Sequence, residues 1–175
     1  MSRRYSRAVR IRRVEDSEFA HVGQLILDAY NGLPARVPEP AYDVELLDVA
    51  SRVAAGCDVM VAVSDAGDLV GAVTYVGDSH NPYMESDDPD AASFRHMAVV
   101  DSAQGSGVGR AMVEWCIDTA TVAGKQRIVI HSAEWMLGAH RLYDRLGFVR
   151  GDHVKEFAVE GSGLMVRLFE YTKEL

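Results

Sequence analysis

Gln104-Gly105-Ser106-Gly107-Val108-Gly109 lies between an apolar segment and an amphipathic one. Glycines permit positive φ and close backbone approach, so successive N–H groups can point into one cavity, and a helix starting there adds partial positive charge. A phosphate or pyrophosphate fits such a loop. A plain tight turn fits it too, and a glycine cluster in isolation weighs the two evenly. Further along, Tyr143 offers a phenol, and His96 and His131 offer imidazoles of near-neutral intrinsic pKa. By spacing alone Tyr143 joins Ala139 and Leu146 on a buried helical stripe, and a strand histidine is more often structural than catalytic. Asp78, Glu85, Asp87, Asp88 and Asp90 crowd the stretch 77–90, which holds no Lys or Arg and reads as a solvated charge run able to act through water.

Three phosphate-binding patterns can be compared at the glycine loop. A P-loop is excluded because no Gly-Lys-Ser/Thr follows. A Rossmann fingerprint fails because Arg110 stands where the third glycine after Gly105 and Gly107 belongs. A methyltransferase-like pattern survives locally, with Asp101 ahead of Gly105, Gly107 and Gly109, but such a loop follows the first strand and here several strands precede it. Cys57 and Cys116 lie far apart without CxxC spacing, so no metal site or disulfide framework is expected, and Cys116 beside Trp115 reads as a small buried hydrophobe.

The elements that must position these groups can be read from periodicity. Residues 9–14 alternate as a strand, Asp16 is the expected N-cap, and Phe19, Val22, Leu25, Ile26 and Ala29 follow at helical spacing to a stop at Asn31-Gly32. Pro34, Pro38 and Pro40 predict a loop, and a second helix runs from Val44 to Ala54. Strands over 59–63 and 69–76 flank a hairpin turn at Asp65-Ala66-Gly67-Asp68. A fourth strand covers 94–100, a long amphipathic helix 108–123, a strand 127–130, a short helix 137–146, a short strand 155–159 and a last strand 164–171. The 175 residues suit one domain, 1–175, with a mixed α+β sheet. The net charge of −8 is uneven, because Arg3, Arg4, Arg7, Arg10, Arg12 and Arg13 crowd the start. That arm is read as solvated, so no nucleic-acid partner is expected. No apolar run of membrane-spanning length occurs, so no membrane partner is expected and a cytoplasmic location is the default.

The strand Phe94-Arg95-His96-Met97-Ala98-Val99, the loop Gln104-x-x-Gly107-x-Gly109, and Leu142-Tyr143 with Gly147-Phe148 together resemble the GNAT family of N-acetyltransferases. The likeness extends from about Ala92 to Phe148, with the motifs in the family's order. It implies a GNAT fold: a bent mixed sheet of about six to seven strands, helices on both faces, and splayed fourth and fifth strands that admit the pantetheine arm of acetyl-CoA. It further implies that backbone at Met97, Ala98 and Val99 pairs with the pantetheine amides. The loop N–H groups of Gln104, Gly105, Ser106, Gly107, Val108, Gly109 and Arg110 then hold the pyrophosphate, and Tyr143 is the catalytic donor to the leaving thiolate. No metal is implied.

The expected reaction is direct attack of a primary amine, from a small molecule or peptide, on the thioester. Carboxylates of 77–90 would favour a cationic acceptor. A homodimer is among the assemblies the resemblance implies. Two departures bear on catalysis: Ser93 stands where some relatives place a glutamate base, and Met136 where many place an asparagine. A non-catalytic acyl-CoA sensor is therefore the alternative, with an S-adenosylmethionine methyltransferase behind it.

Overall fold

The computed structural model describes residues 9–175, so Arg3, Arg4 and Arg7 of the basic start lie outside the described residues. Strands β1 (Arg10–Arg13), β2 (Asp58–Val63), β3 (Leu69–Val76) and β4 (Ala91–Val99) form an antiparallel half-sheet. Strand β5 (Arg127–Ala133) runs parallel to β4, and β6 (Val149–Ala158) with β7 (Met165–Glu174) completes the order β1-β2-β3-β4-β5-β7-β6. Helices α1 (Phe19–Asn31), α2 (Pro40–Leu47) and α3 (Val49–Ala54) separate β1 from β2. Helix α4 (Val108–Val122) joins β4 to β5, and α5 (Leu137–Arg145) joins β5 to β6. This is the mixed α+β sheet that the sequence predicts, with seven strands.

The sheet is buried on both faces, and β2 shows how. Met60 and Ala62 enter a core with Met112, Val113 and Cys116 of α4, while Val59, Val61 and Val63 enter another with Val22, Ile26 and Leu46 of α1 and α2. A period of two thus distributes one apolar run between two cores.

Several predicted boundaries shift. The N-cap falls at Glu15, not Asp16, because Glu15 N–H donates to Glu18 Oε2 at 2.8 Å ahead of a 3-10 turn over Asp16–Glu18. Arg12 grips the same carboxylate at 2.7 and 2.8 Å and holds Glu18 down to about 2. Pro40 opens α2, where its missing N–H costs nothing. The single second helix is two, because Asp48 leaves helical geometry and accepts Ser51 N–H at 3.0 Å to start α3. Arg52, fully buried, donates to Glu45 O at 2.5 Å and Leu46 O at 3.4 Å, closing the end of α2. The closing strands are longer than predicted: β6 is a mostly exposed edge strand whose pattern does not alternate, so only its pairing with β7 defines it.

At the centre, β4 and β5 pair only at Ala91↔Arg127 and Ala92↔Ile128. Ser93 Oγ donates to Val129 O at 2.7 Å just beyond, and no further ladder pair joins the two strands. A bulge in β4 follows, where His96 takes φ of 52° and the register against β3 slips between Ala72 and Thr74. Among the described residues no helix is long and apolar enough to cross a membrane.

Candidate active site

Two cavities open where the strands part, and Tyr30, Met97, Met136 and Ala139 line both. The first has a volume of about 410 Å³. Met97, Ala98 and Val99 line it from β4, Gln104, Gly105, Gly107, Gly109 and Arg110 from the loop and the start of α4, and Ala139 and Leu142 from α5. Its wall at β4 is strand backbone that no longer has β5 as a partner.

The loop is shaped by Gly105 at φ 72° and Gly107 at φ 95°, the latter capping α4. Ala111 N–H donates to Gly107 O at 2.9 Å, so the helical ladder begins there and leaves the N–H groups of Val108, Gly109 and Arg110 outside it, whereas the predicted donors at Gln104 and Ser106 are spent within the loop on Asp101 O at 3.2 Å and Ala103 O at 3.3 Å. A Cβ on Gly109 would stand 3.4 Å from Leu142 Cδ2 and 3.7 Å from Val99 Cγ2, so the backbone lies close against the cavity wall. Donor backbone, a helix N-terminus and a strand edge fit a pyrophosphate followed by an amide-bearing arm.

Not every predicted member faces this cavity. Ser106 Oγ donates to Ala103 O at 2.5 Å and braces the loop, and Val108 is a buried core residue. The Arg110 side chain pairs with Glu114 at 2.8 Å along the exposed face of α4. Tyr143 lies in the second cavity, not the first.

The second cavity, about 180 Å³, passes between the parted strands. Tyr143 borders it beside Phe94, with the rings 5.9 Å apart, and also packs on Phe148 and Tyr171. Burial, with Cys116 nearby, pushes its phenol up, so it stays protonated. The buried-stripe position and the cavity position are therefore the same place.

Opposite lies a chain of paired charges that local spacing does not reveal. His96 Nε2 lies 2.9 Å from Glu45 Oε1 and 3.2 Å from Arg95 Nε, and burial pushes this imidazole down to about 4 despite the carboxylate. Arg95 bridges Glu45 at 3.0 Å and Glu85 at 3.4 Å. Glu85 Oε2 in turn accepts from His131 Nδ1 at 2.8 Å. Burial opposes ionisation of Glu85, but the His131 bond and the Arg95 charge outweigh it and leave the carboxyl below its ordinary range. Glu85, expected in a solvated run, is instead mostly withdrawn from solvent and lines the second cavity. Asp88 instead pairs with Arg127 at the far end of β5. Ser93 links the two layers, since its hydroxyl also accepts Glu85 N–H at 3.3 Å. Met136 starts α5 and puts a thioether where both cavities meet.

The sequence model described as the acetyltransferase (GNAT) family matches residues 22–148. No curated protein matches the sequence. Among solved structures, a GCN5-related N-acetyltransferase from Kribbella flavida superposes with a TM-score of 0.71 at 23% identity, covering 96% of this chain and 98% of that one. The Salmonella typhimurium protein yncA, solved with its cofactor acetyl-CoA, gives 0.69 at 21% identity over 96% and 94%. A ribosomal-protein-alanine N-acetyltransferase from Brucella melitensis gives 0.69 at 18% over 95% and 99%. At these identities the likeness is one of fold.

Proposed function

The chain belongs to the acetyltransferase (GNAT) family, and from that premise we propose that it moves the acetyl group of acetyl-CoA onto a primary amine by direct attack. The observation that carries this is the meeting of the two cavities at Met97, where β4 has left β5. The first cavity suits the coenzyme: N–H groups of Gly105, Gly107, Val108, Gly109 and Arg110 for the pyrophosphate, and the free edge at Met97 and Val99 for the pantetheine amides. Bound acetyl-CoA supplies an activated acyl group on a thiol leaving group. The second cavity suits the acceptor end, because it is small, largely apolar and furnished with proton-handling side chains.

Tyr143 is the residue we assign to the leaving sulfur. A phenol pushed above its ordinary pKa gives up its proton reluctantly to a thiolate whose conjugate acid, judged by cysteine, titrates near ~8.5. Its role is therefore a hydrogen bond that stabilises developing charge, with proton transfer completed as the thiolate departs. Of the acidic loop, Glu85 alone lines the acceptor cavity, where Arg95 already pairs with its charge and His131 Nδ1 donates to it. General recruitment of cations by that loop is accordingly a weak determinant, and shape and apolar contact from Tyr42, Trp135 and Phe157 carry more of the selection. We also take the whole chain as one acetyltransferase domain working in the cytoplasm. The test is thiol release from acetyl-CoA across an amine panel. Amine-dependent release supports acetyl transfer, and tight acetyl-CoA binding with no release across the panel supports the sensor instead.

A further inference from the structure

Resting on that acetyl-transfer reading, we propose that His131 is the catalytic base that takes the proton from the acceptor amine, positioned by Glu85 on one side and Glu170 on the other. The place where relatives carry a glutamate is spent on structure here: Ser93 donates to Val129 O and accepts Glu85 N–H, fixing the point at which the strands part. Glu85, brought near by that bond, has one oxygen beside Arg95 and the other accepting from His131, so neither is free to receive a proton. His96 also lines the acceptor cavity and its Nδ1 is likewise buried without a partner, but among the described residues no carboxylate pairs with that nitrogen to receive a proton, and burial pushes the ring down to about 4.

His131 differs from both. Its Nδ1–H donates to Glu85, which fixes the neutral tautomer and leaves the lone pair on Nε2. Nε2 is buried without a hydrogen-bond partner, and Glu170 Oε2 stands 3.5 Å away. A proton arriving on Nε2 would therefore meet a carboxylate already in place, one that is partly exposed and can pass it to water. The charged groups facing the ring are Glu85 from the loop before β4, Arg95 on β4 and Glu170 on β7, with Lys155 of β6 acting on Glu85. In the step, the neutral amine nitrogen forms the C–N bond as the C–S bond breaks. The surplus N–H proton goes to His131 Nε2 and on to water past Glu170, while the departing thiolate takes the Tyr143 proton and the phenol is restored by one from water. Net, one proton moves from nitrogen to sulfur.

The test uses the full chain. His131→Gln should retain acetyl-CoA binding, lower kcat/KM by about 100-fold, and abolish the limb of the pH profile that rises as an imidazole deprotonates. Glu85→Gln and Glu170→Gln, which remove the carboxylates that position the ring, should lower kcat/KM by a smaller factor with acetyl-CoA binding retained. A His131→Gln enzyme within twofold of wild type with the limb unchanged overturns the assignment. A readout independent of turnover is the ring-nitrogen NMR spectrum of ¹⁵N-histidine protein at alkaline pH, where His131 should carry its proton on Nδ1. A proton on Nε2 instead overturns the assignment even if no amine is turned over, whereas absence of turnover alone counts against the acetyl-transfer reading.

Discussion

The first cavity is bordered by the edge of β4 and the glycine loop before α4, where backbone groups can bind, whereas the second gathers polar and aromatic side chains from widely separated stretches of chain. Backbone recognises what all coenzyme A esters share, a pyrophosphate and an amide-bearing arm, and tolerates change in the side chains that flank it. Ser106 and Val108 illustrate this, since the hydroxyl of one braces the loop and the side chain of the other fills the core, neither facing the cavity. The second cavity has no such tolerance. Glu45, Arg95, Glu85 and His131 form one chain of partners, so a substitution at one is felt by the next, most of all at Arg95, which both glutamates share.

That contrast can be broken by mutation. The largest effect should come from Arg95→Met, which leaves Glu45 and Glu85 without their shared cation. Full burial would make such a loss worth ~3–5 kcal/mol. Because the Arg95 side chain keeps 22% exposure, about 2 kcal/mol is expected by urea denaturation, with acetyl-CoA affinity of the folded protein unchanged. Gly107→Val should do the reverse. A β-branched residue at φ 95° strains the cap and crowds the cradle, so acetyl-CoA affinity by calorimetry should fall at least about tenfold. Wild-type affinity there would remove the glycine loop from the coenzyme site.

Tyr143→Phe should lower kcat by at least about tenfold while leaving acetyl-CoA affinity intact. An unchanged kcat would remove the phenol from the reaction.

A pH effect sharpens the same contrast. His96 is held neutral in the folded state, to about 4, while the unfolded chain protonates it near ~6.5. Its contribution to stability is therefore complete above about pH 6.5 and is lost as pH falls toward 4, at no more than ~1.4 kcal/mol per pH unit. Urea midpoints between pH 7 and 5 should fall in the wild type and stay flatter in His96→Asn. The smallest effect belongs to the exposed Arg110–Glu114 pair, where Arg110→Gln should change stability by less than ~0.5 kcal/mol.

The two regions also differ in how far the sequence discloses them. Gly105 and Gly107 need left-handed backbone, and only a few residue types supply it, so the loop is visible in the residue types themselves. The alternation of β2 and the helical spacing of α1 and α4 disclose the sheet and its two cores in the same way. Glu85 shows the opposite. Its neighbours Asp87, Asp88 and Asp90 make it look like part of a solvated acidic run, and only the fold puts His131 and Arg95 against it. The split at Asp48 leaves no trace in the apolar spacing, because Arg52 and Ser51 satisfy the broken helix from beyond the break. The edge strand β6 lacks alternation, so its length is set by β7 and not by its own residues.

The most direct test of the central claim, that coenzyme and acceptor sites meet at the parting of β4 and β5, is acetyl-CoA thiol release measured over a panel of primary amines with wild-type protein and Tyr143→Phe side by side. Amine-dependent release that falls at least about tenfold in the variant is the predicted result. Calorimetric binding of acetyl-CoA with no release for any amine would contradict it.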